Sequence, residues 1–163
     1  MNIEIKKIGL AADSCSLIYL YQSDLLRYAA RAYQLYIIHG IWQELAIKAD
    51  QHEMESYSCH TTTMTIANSD LIISIKGVSV VDRDLIKLFH QQKLSAILSE
   101  DGKILQYCKN NNIPHFCCLS LISKLVHYGV LSLKQARMRY DLLKKIGRYA
   151  PWVLEQAYTM LEQ

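Results

Sequence analysis

Short apolar runs alternate with longer amphipathic stretches along this chain. Runs that are apolar at nearly every position are typical of strands that are buried on both faces of a sheet. They predict strands at residues 8–12, 35–39, 78–81, 95–98 and 115–118. A further run, 71–75, is either another strand or part of the connection between a helix and a strand.

The stretches between these runs have the spacing and the end signals of helices. Gly129 and Gly147 suit helix C-termini, whereas Ser132 and Pro151 suit helix starts. The polar stretch 50–69 has no clear period and is predicted to be a loop with room for a short helix. The predicted helices are 17–21, 25–33, 41–48, 82–92, 103–110, 119–128, 133–146 and 151–161.

The alternation of apolar strands with helices predicts the fold class. Parallel strands are joined by helical crossovers, which cover both faces of the sheet. We therefore expect a three-layer α/β/α fold with a central parallel sheet. The length of 163 residues suits one domain, and the scarcity of glycine (six) and proline (two) argues against an all-β sandwich with its many tight turns.

Composition also bears on the cellular compartment. No run reaches the ~18 apolar residues that would span a bilayer, and Asp13 interrupts the apolar stretch 8–20 that would otherwise suggest an export signal. Five cysteines without a CxxC pair favour reduced thiols over disulfides. The adjacent Cys117 and Cys118 lack the usual spacing of zinc ligands. We expect a cytoplasmic protein with no membrane segment.

Acidic residues lie where the predicted strands end. Asp13 directly follows the first strand, and Asp101 follows the fourth. Glu44 lies early in the helix after the second strand, and Asp82 and Asp84 begin the helix before the fourth. Because ligands of open parallel sheets bind beyond the carboxyl ends of the strands, we expect these carboxylates to meet at one edge.

A cluster of carboxylates is unfavourable unless a cation joins it. Two carboxylates ~5 Å apart repel by roughly 3 kcal/mol at an effective dielectric of ~20. Taken singly, each acid is explained more simply as a helix cap, a turn residue or an exposed side chain. Taken together, hard oxygen ligands select Mg²⁺ or Mn²⁺, and such sites serve in-line phosphoryl transfer.

Basic residues concentrate near the C-terminus, where Asp141 is the single acid between positions 134 and 148. This stretch is either the solvated face of a helix or a surface that follows a phosphate backbone. The basic residues are Lys134, Arg137, Arg139, Lys144, Lys145 and Arg148.

Four short motifs contain the acids. They read ADSCSLI at 12–18, IWQEL at 41–45, DRDLI at 82–86 and LSEDG at 98–102. In this order and at these distances they resemble the motifs of the PIN-domain family of metal-dependent nucleases. The resemblance covers residues 1–128, and the tail 129–163 resembles the helical extension of small prokaryotic PIN proteins. It implies a single PIN-like domain, 1–163, with extra C-terminal helices.

The resemblance also implies roles for individual residues. Asp82 and Asp84 do not share a helix face, and the spacing to the fourth motif favours Asp84. Glu100 and Asp101 are adjacent, and the match to the family's Thr-x-Asp motif favours Asp101. Ser14 or Ser16 would hold these acids in position without binding the metal. The expected catalytic and metal-binding acids are therefore Asp13, Glu44, Asp84 and Asp101, with Asp82 and Glu100 as alternatives.

The function that the resemblance implies is a Mg²⁺- or Mn²⁺-dependent endoribonuclease, of the kind that acts as the toxin of a toxin–antitoxin pair. Its partners would be an RNA substrate, an antitoxin protein and a second copy of the chain, with the basic stretch 134–148 receiving RNA or an acidic antitoxin segment. The alternative is a catalytically silent PIN-like module that binds RNA or protein. A receiver-type signalling domain is disfavoured because no lysine follows the last strand before Lys124.

Overall fold

The computed structural model describes residues 7–163, which form five strands and nine helices. The predicted α/β class is confirmed, and helices flank the sheet as the outer layers of an α/β/α fold. The strands are β1 (Ile8–Ala12), β2 (Tyr33–Ile38), β3 (Thr61–Met64), β4 (Ala96–Leu98) and β5 (His115–Phe116). The helices are α1 (Ser14–Gln22), α2 (Leu26–Ala32), α3 (His39–Lys48), α4 (Gln51–His60), α5 (Val80–Gln91), α6 (Gly102–Asn110), α7 (Cys118–His127), α8 (Leu133–Ile146) and α9 (Pro151–Glu162).

The strands are all parallel and lie in the order β3-β2-β1-β4-β5. In the central strand, Leu10 is paired with Leu35 of β2 on one side and with Ala96 of β4 on the other. The chain runs outward from β1 to β2 and β3, and then returns to the other side of β1 to form β4 and β5. The side of β1 on which strands are added therefore reverses between β1 and β4. Ligands of open α/β sheets bind in the crevice at such a reversal point.

The sheet is buried on both faces because its central strands carry almost no polar residues. Leu10, Ala11 and Ala12 of β1 are fully buried. Helix α5 packs against β1, β2 and β4 through its apolar side, which includes Leu85 and Leu88. Each buried side chain of this size contributes about 1.5–3 kcal/mol to the stability of the fold. This packing therefore stabilises the strands whose ends carry the acids.

The C-terminal helices pack onto the rest of the fold. α8 and α9 contact α7 and each other, and α8 also contacts α1. Ser132 caps α8 and Pro151 opens α9, as predicted. Gly129 follows α7 with a φ of 69°, a left-handed conformation that glycine adopts without strain, whereas Gly147 ends α8 with an extended φ of −89°. Within residues 7–163, no helix is both long and apolar enough to cross a membrane.

The stretch 50–69 was predicted to be a loop with room for a short helix; it contains the helix α4, which that prediction allowed, and the strand β3, which it did not. The sequence of α4 is polar, and only Tyr57 of it is buried. A capping box between Asp50 and Glu53 starts the helix. β3 is an edge strand with partly buried or exposed side chains. Neither element has the hydrophobic period by which it could have been recognised.

The strand predicted at 78–81 is wrong, since α5 begins at Val80. Ser79 caps this helix: its Oγ accepts a hydrogen bond from the backbone N–H of Asp82 at 3.0 Å. Ile73 and Val78 are buried although the segment 65–79 has no helix or strand. The apolar residues at 71–75 therefore belong to a connection, the second of the two possibilities.

Candidate functional site

Asp13 is the most buried acid at the carboxyl edge of the sheet, with an exposure of 3%. It follows β1 directly and caps α1, because its Oδ1 accepts a hydrogen bond from the backbone N–H of Ser16 at 2.7 Å. Its Oδ2 accepts hydrogen bonds from the Ser99 hydroxyl and from the Glu100 N–H. Burial raises the pKa of Asp13, and these hydrogen bonds only partly offset that effect.

Glu44 approaches the same edge from α3. The hydroxyl of Ser14, the residue after Asp13, donates a hydrogen bond to Glu44 Oε2 at 2.8 Å. This bond joins the start of α1 to α3 across 30 positions of sequence. Ser14 and Ser16 thus both support acids of this edge, Ser14 by its hydroxyl and Ser16 by its backbone N–H.

Asp82, rather than Asp84, faces the other acids. Burial raises the pKa of Asp82, and the negative charges of Glu44 and Asp101 raise it further. Asp84 lies about 200° around the helix from Asp82, at 100° per residue, and forms an ion pair with Lys87 at 3.1 Å. Asp82 is therefore the acid of this motif whose charge interacts with the other acids, while the choice of Asp84 as a metal ligand stays a prediction.

Both acids of the fourth motif border the edge. Asp101 caps α6, accepting from the N–H of Lys103 at 2.7 Å through Oδ1. Glu100 turns toward α7, where its Oε1 accepts from the N–H of Cys118 at 2.6 Å. Burial raises the pKa of Glu100, and the nearby charge of Asp13 adds to the effect. The preference for Asp101 over Glu100 stays a prediction.

Ser99 is a supporting residue that the sequence reasoning did not single out. It is fully buried, donates its hydroxyl hydrogen to Asp13, and accepts from the N–H of Asp101 at 3.1 Å. It therefore joins acids from β1 and β4 across the reversal point of the sheet. Its position directly after β4, within the Ser-x-Asp match, is the signal by which it could have been found.

The acidic edge consists of Asp13, Glu44, Asp82, Glu100 and Asp101. None of these five forms an ion pair with a lysine or arginine in the part of the chain that the structure describes. The positive charge of Lys48 lowers the pKa of Asp82 and so favours its ionised form. Several carboxylates thus share one region with little neutralising charge, an arrangement that a bound cation stabilises.

The donor atoms of the acidic edge suit a hard cation such as Mg²⁺ or Mn²⁺, because all of them are carboxylate or hydroxyl oxygens. As the side chains stand, however, no three His, Cys, Asp or Glu residues between positions 7 and 163 converge closely enough to hold a metal ion. Both oxygens of Asp13 already accept hydrogen bonds from the chain. Binding an ion here requires rotation of side chains at the edge.

The basic stretch 134–148 is only partly available at the surface. Arg139 is buried and bonds to Asp24 at 2.7 Å, with its guanidinium 5.3 Å from the centre of the Tyr28 ring. Arg137 forms two hydrogen bonds with Glu162, at 2.8 and 2.7 Å. The other basic residues of the stretch are exposed and form no ion pair with any acid among residues 7–163: Lys134, Lys144, Lys145 and Arg148.

Comparisons of this chain with models of protein families, with curated proteins and with solved structures find no match. The resemblance to the PIN-domain family therefore stays a prediction that rests on the four motifs. What the structure adds is their placement: the first motif spans the end of β1 and the start of α1, the second and third lie in α3 and α5, and the fourth joins β4 to α6. Asp13, Glu44, Asp82 and Asp101 thereby approach one edge of the sheet.

Proposed function

We propose that this protein is a Mg²⁺- or Mn²⁺-dependent ribonuclease of the PIN-like type. The observation that carries the proposal is the buried Asp13 at the reversal point of the sheet, surrounded by the other acids of the acidic edge, none of which forms an ion pair with a lysine or arginine among residues 7–163. A divalent cation bound among these carboxylates would offset their mutual repulsion.

The acids would have different roles in binding the cation and its water. Asp13, Asp82 and Asp101 would bind the metal, with Glu44 placed beside them by Ser14. Once bound, the ion would supply an activated water and stabilise the leaving oxygen of the phosphodiester. Ser99 and the Ser16 N–H fix the carboxylate of Asp13, so its orientation does not have to be established during the reaction.

RNA as the substrate and an antitoxin as the partner come from the family resemblance. The exposed cations Lys134, Lys144, Lys145 and Arg148 support this proposal, because they offer contacts to a phosphate backbone or to an acidic partner segment. Arg139 and Arg137 are not part of that surface, since each is engaged within the fold. A homodimer is proposed on the resemblance alone.

Replacement of Asp13 tests the proposed activity. We expect Asp13→Asn to abolish Mg²⁺-dependent cleavage of single-stranded RNA, because the amide cannot supply the negative charge that holds the cation. Asp141→Asn, on the exposed face of α8, serves as the matched control and should cleave at the wild-type rate. The measurement is the rate of product formation from a labelled oligonucleotide. Unchanged cleavage by Asp13→Asn would refute the assignment.

A catalytically silent binding module is the second candidate, and one observation favours it. Both oxygens of Asp13 already accept hydrogen bonds from Ser16, Ser99 and Glu100, so this carboxylate has partners without an ion. In that case the edge would serve recognition of RNA or protein only. Calorimetry with Mn²⁺ separates the two functions, because a silent module releases no binding heat at millimolar concentration.

A further inference from the structure

A cavity of about 630 Å³ opens directly beside the acidic edge. It lies among α6, β5, α7, α9 and the connection 148–150, and Glu100 forms part of its wall. The same residue accepts from Cys118 N–H and donates its own N–H to Asp13. A single residue, Glu100, therefore separates the cavity from Asp13, the buried acid on which the proposed function rests.

The size and lining of the cavity suit a small planar ligand. Ligand sites in proteins have volumes of about 300–1,000 Å³ and are mostly apolar with a few polar groups. Leu105, Val153 and Met160 supply apolar surface, while Gln106 and Gln156 offer amide groups. An apolar wall with a few amide groups can receive the face of a ring system and bond to its edge.

Trp152 is the most unusual residue of the lining. Its side chain is 68% exposed, although tryptophan is on average a well-buried residue. It sits in the first turn of α9, where Pro151 fixes the start of the helix. An exposed indole on a rigid element at the edge of a cavity is a surface on which a nucleobase can stack.

Positive charge and hydrogen-bonding groups accompany the aromatic surface. Lys109 and Arg148 both line the cavity and are exposed to solvent. His115 also lines it, and because its Nδ1 bonds to the Ile113 carbonyl at 2.8 Å, its Nε2 is the nitrogen left for a ligand. Ammonium and guanidinium groups beside an aromatic ring match the phosphate and base of a single nucleotide.

We propose that this cavity is a nucleotide subsite, in which one base of a single-stranded RNA stacks on Trp152 while Arg148 and Lys109 hold its phosphate. The inference rests on the proposed ribonuclease function and deepens it. A nucleotide seated here lies beside the acidic edge, so the neighbouring phosphodiester is presented to Asp13 and its partners. The subsite thereby makes the protein select single-stranded over duplex RNA, because a base of a single strand is free to leave its stack and enter the cavity.

The two tryptophans of the chain, Trp42 and Trp152, give a direct test. Trp42 lies on α3 and does not line the cavity, so its indole N–H signal in a ¹H–¹⁵N spectrum is an internal reference. Adenosine and uridine 5′-monophosphates are suitable probes, because they contain no phosphodiester to cleave. We expect them to shift the Trp152 signal while the Trp42 signal stays in place, and inorganic phosphate to shift neither.

Affinity for a short single-stranded RNA, measured in EDTA to prevent cleavage, completes the test. Loss of one stacked base weakens binding by about tenfold or more, so we expect that change in Trp152→Ala and near wild-type affinity in Trp152→Phe. Ile72→Ala, which removes an exposed apolar side chain away from the cavity and from the basic stretch, should bind as the wild type does. Equal affinity of Trp152→Ala and wild type would overturn the subsite.

The outcomes also separate this inference from the proposed function. Nucleotide binding at Trp152 in a protein that cleaves no RNA supports the subsite and rejects the nuclease. Cleavage with an unchanged KM in Trp152→Ala supports the nuclease and rejects the subsite. A Trp152 signal that responds as strongly to inorganic phosphate indicates a simple anion site, and one that ignores every nucleotide points to a protein segment as occupant; either result overturns the proposal.

Discussion

At the scale of single residues, the acidic edge combines burial with accumulated negative charge. Burial raises the pKa of Asp13, Asp82 and Glu100, and neighbouring acids raise all three further. A carboxyl whose pKa is higher in the folded than in the unfolded state binds its proton more tightly when folded. It therefore destabilises the fold once ionised, and stability rises as the pH falls through the raised values.

This sign predicts an unusual pH dependence for the metal-free protein. In EDTA, the contribution of these acids to the free energy of unfolding should increase as the pH falls from neutrality toward the ordinary carboxyl pKa range. Urea denaturation at several pH values measures it, and Asp82→Asn should flatten the profile while Asp141→Asn leaves it unchanged. Identical profiles in wild type and Asp82→Asn would show that Asp82 has an unperturbed environment.

Sequence position was sufficient to find some of these residues and not others. Asp13 directly follows β1 and Asp101 is the third residue after β4, so the sheet rule alone brings them to one edge. Asp82 and Asp84 were expected on different sides of their helix, but the motif spacing does not tell which side faces the other acids. The start of α5 was also missed, because it is set by the Ser79 cap, a local hydrogen bond that hydrophobic pattern does not reveal.

At the scale of elements, the apolar strands and amphipathic helices were predictable, and the polar ones were not. β1 and α8 have the predicted bounds, 8–12 and 133–146. α4 was allowed for only as an unplaced short helix and β3 was missed, because capping and edge pairing, rather than buried periodic surface, hold them in place. The basic residues of α8 also look alike in sequence. In the structure some of them are buried or paired with acids, and the others are exposed.

The two kinds of basic residue on α8 should respond differently to mutation. Arg139→Ala removes a buried side chain that bonds to Asp24 and packs on Tyr28, so we expect a loss of about 1–3 kcal/mol in the free energy of unfolding. The exposed Lys145→Ala should change it by less than about 0.5 kcal/mol. Urea denaturation measures both, and equal small effects would contradict the assignment of Arg139 to the interior.

At the scale of the whole molecule, strand order creates the site. Asp13 and Ser99 are 86 positions apart but form a hydrogen bond, because β1 and β4 are neighbours at the reversal of the sheet. The alternation of strands and helices predicted a parallel sheet but not which strands are adjacent. Adjacency arises from long-range packing, and it determines that the four motifs share one edge and that the cavity beside Trp152 opens next to it.

The most direct test of the account is calorimetric titration of Mn²⁺ into wild type, Asp82→Asn and Asp84→Asn. The two variants carry the same substitution two residues apart on α5, so they differ only in which side of the helix loses its charge. We predict that wild type binds Mn²⁺, that Asp84→Asn binds it equally well, and that Asp82→Asn loses at least about tenfold in affinity. Absence of binding by wild type at millimolar Mn²⁺, or loss of binding in Asp84→Asn alone, would contradict the acidic edge as a metal site.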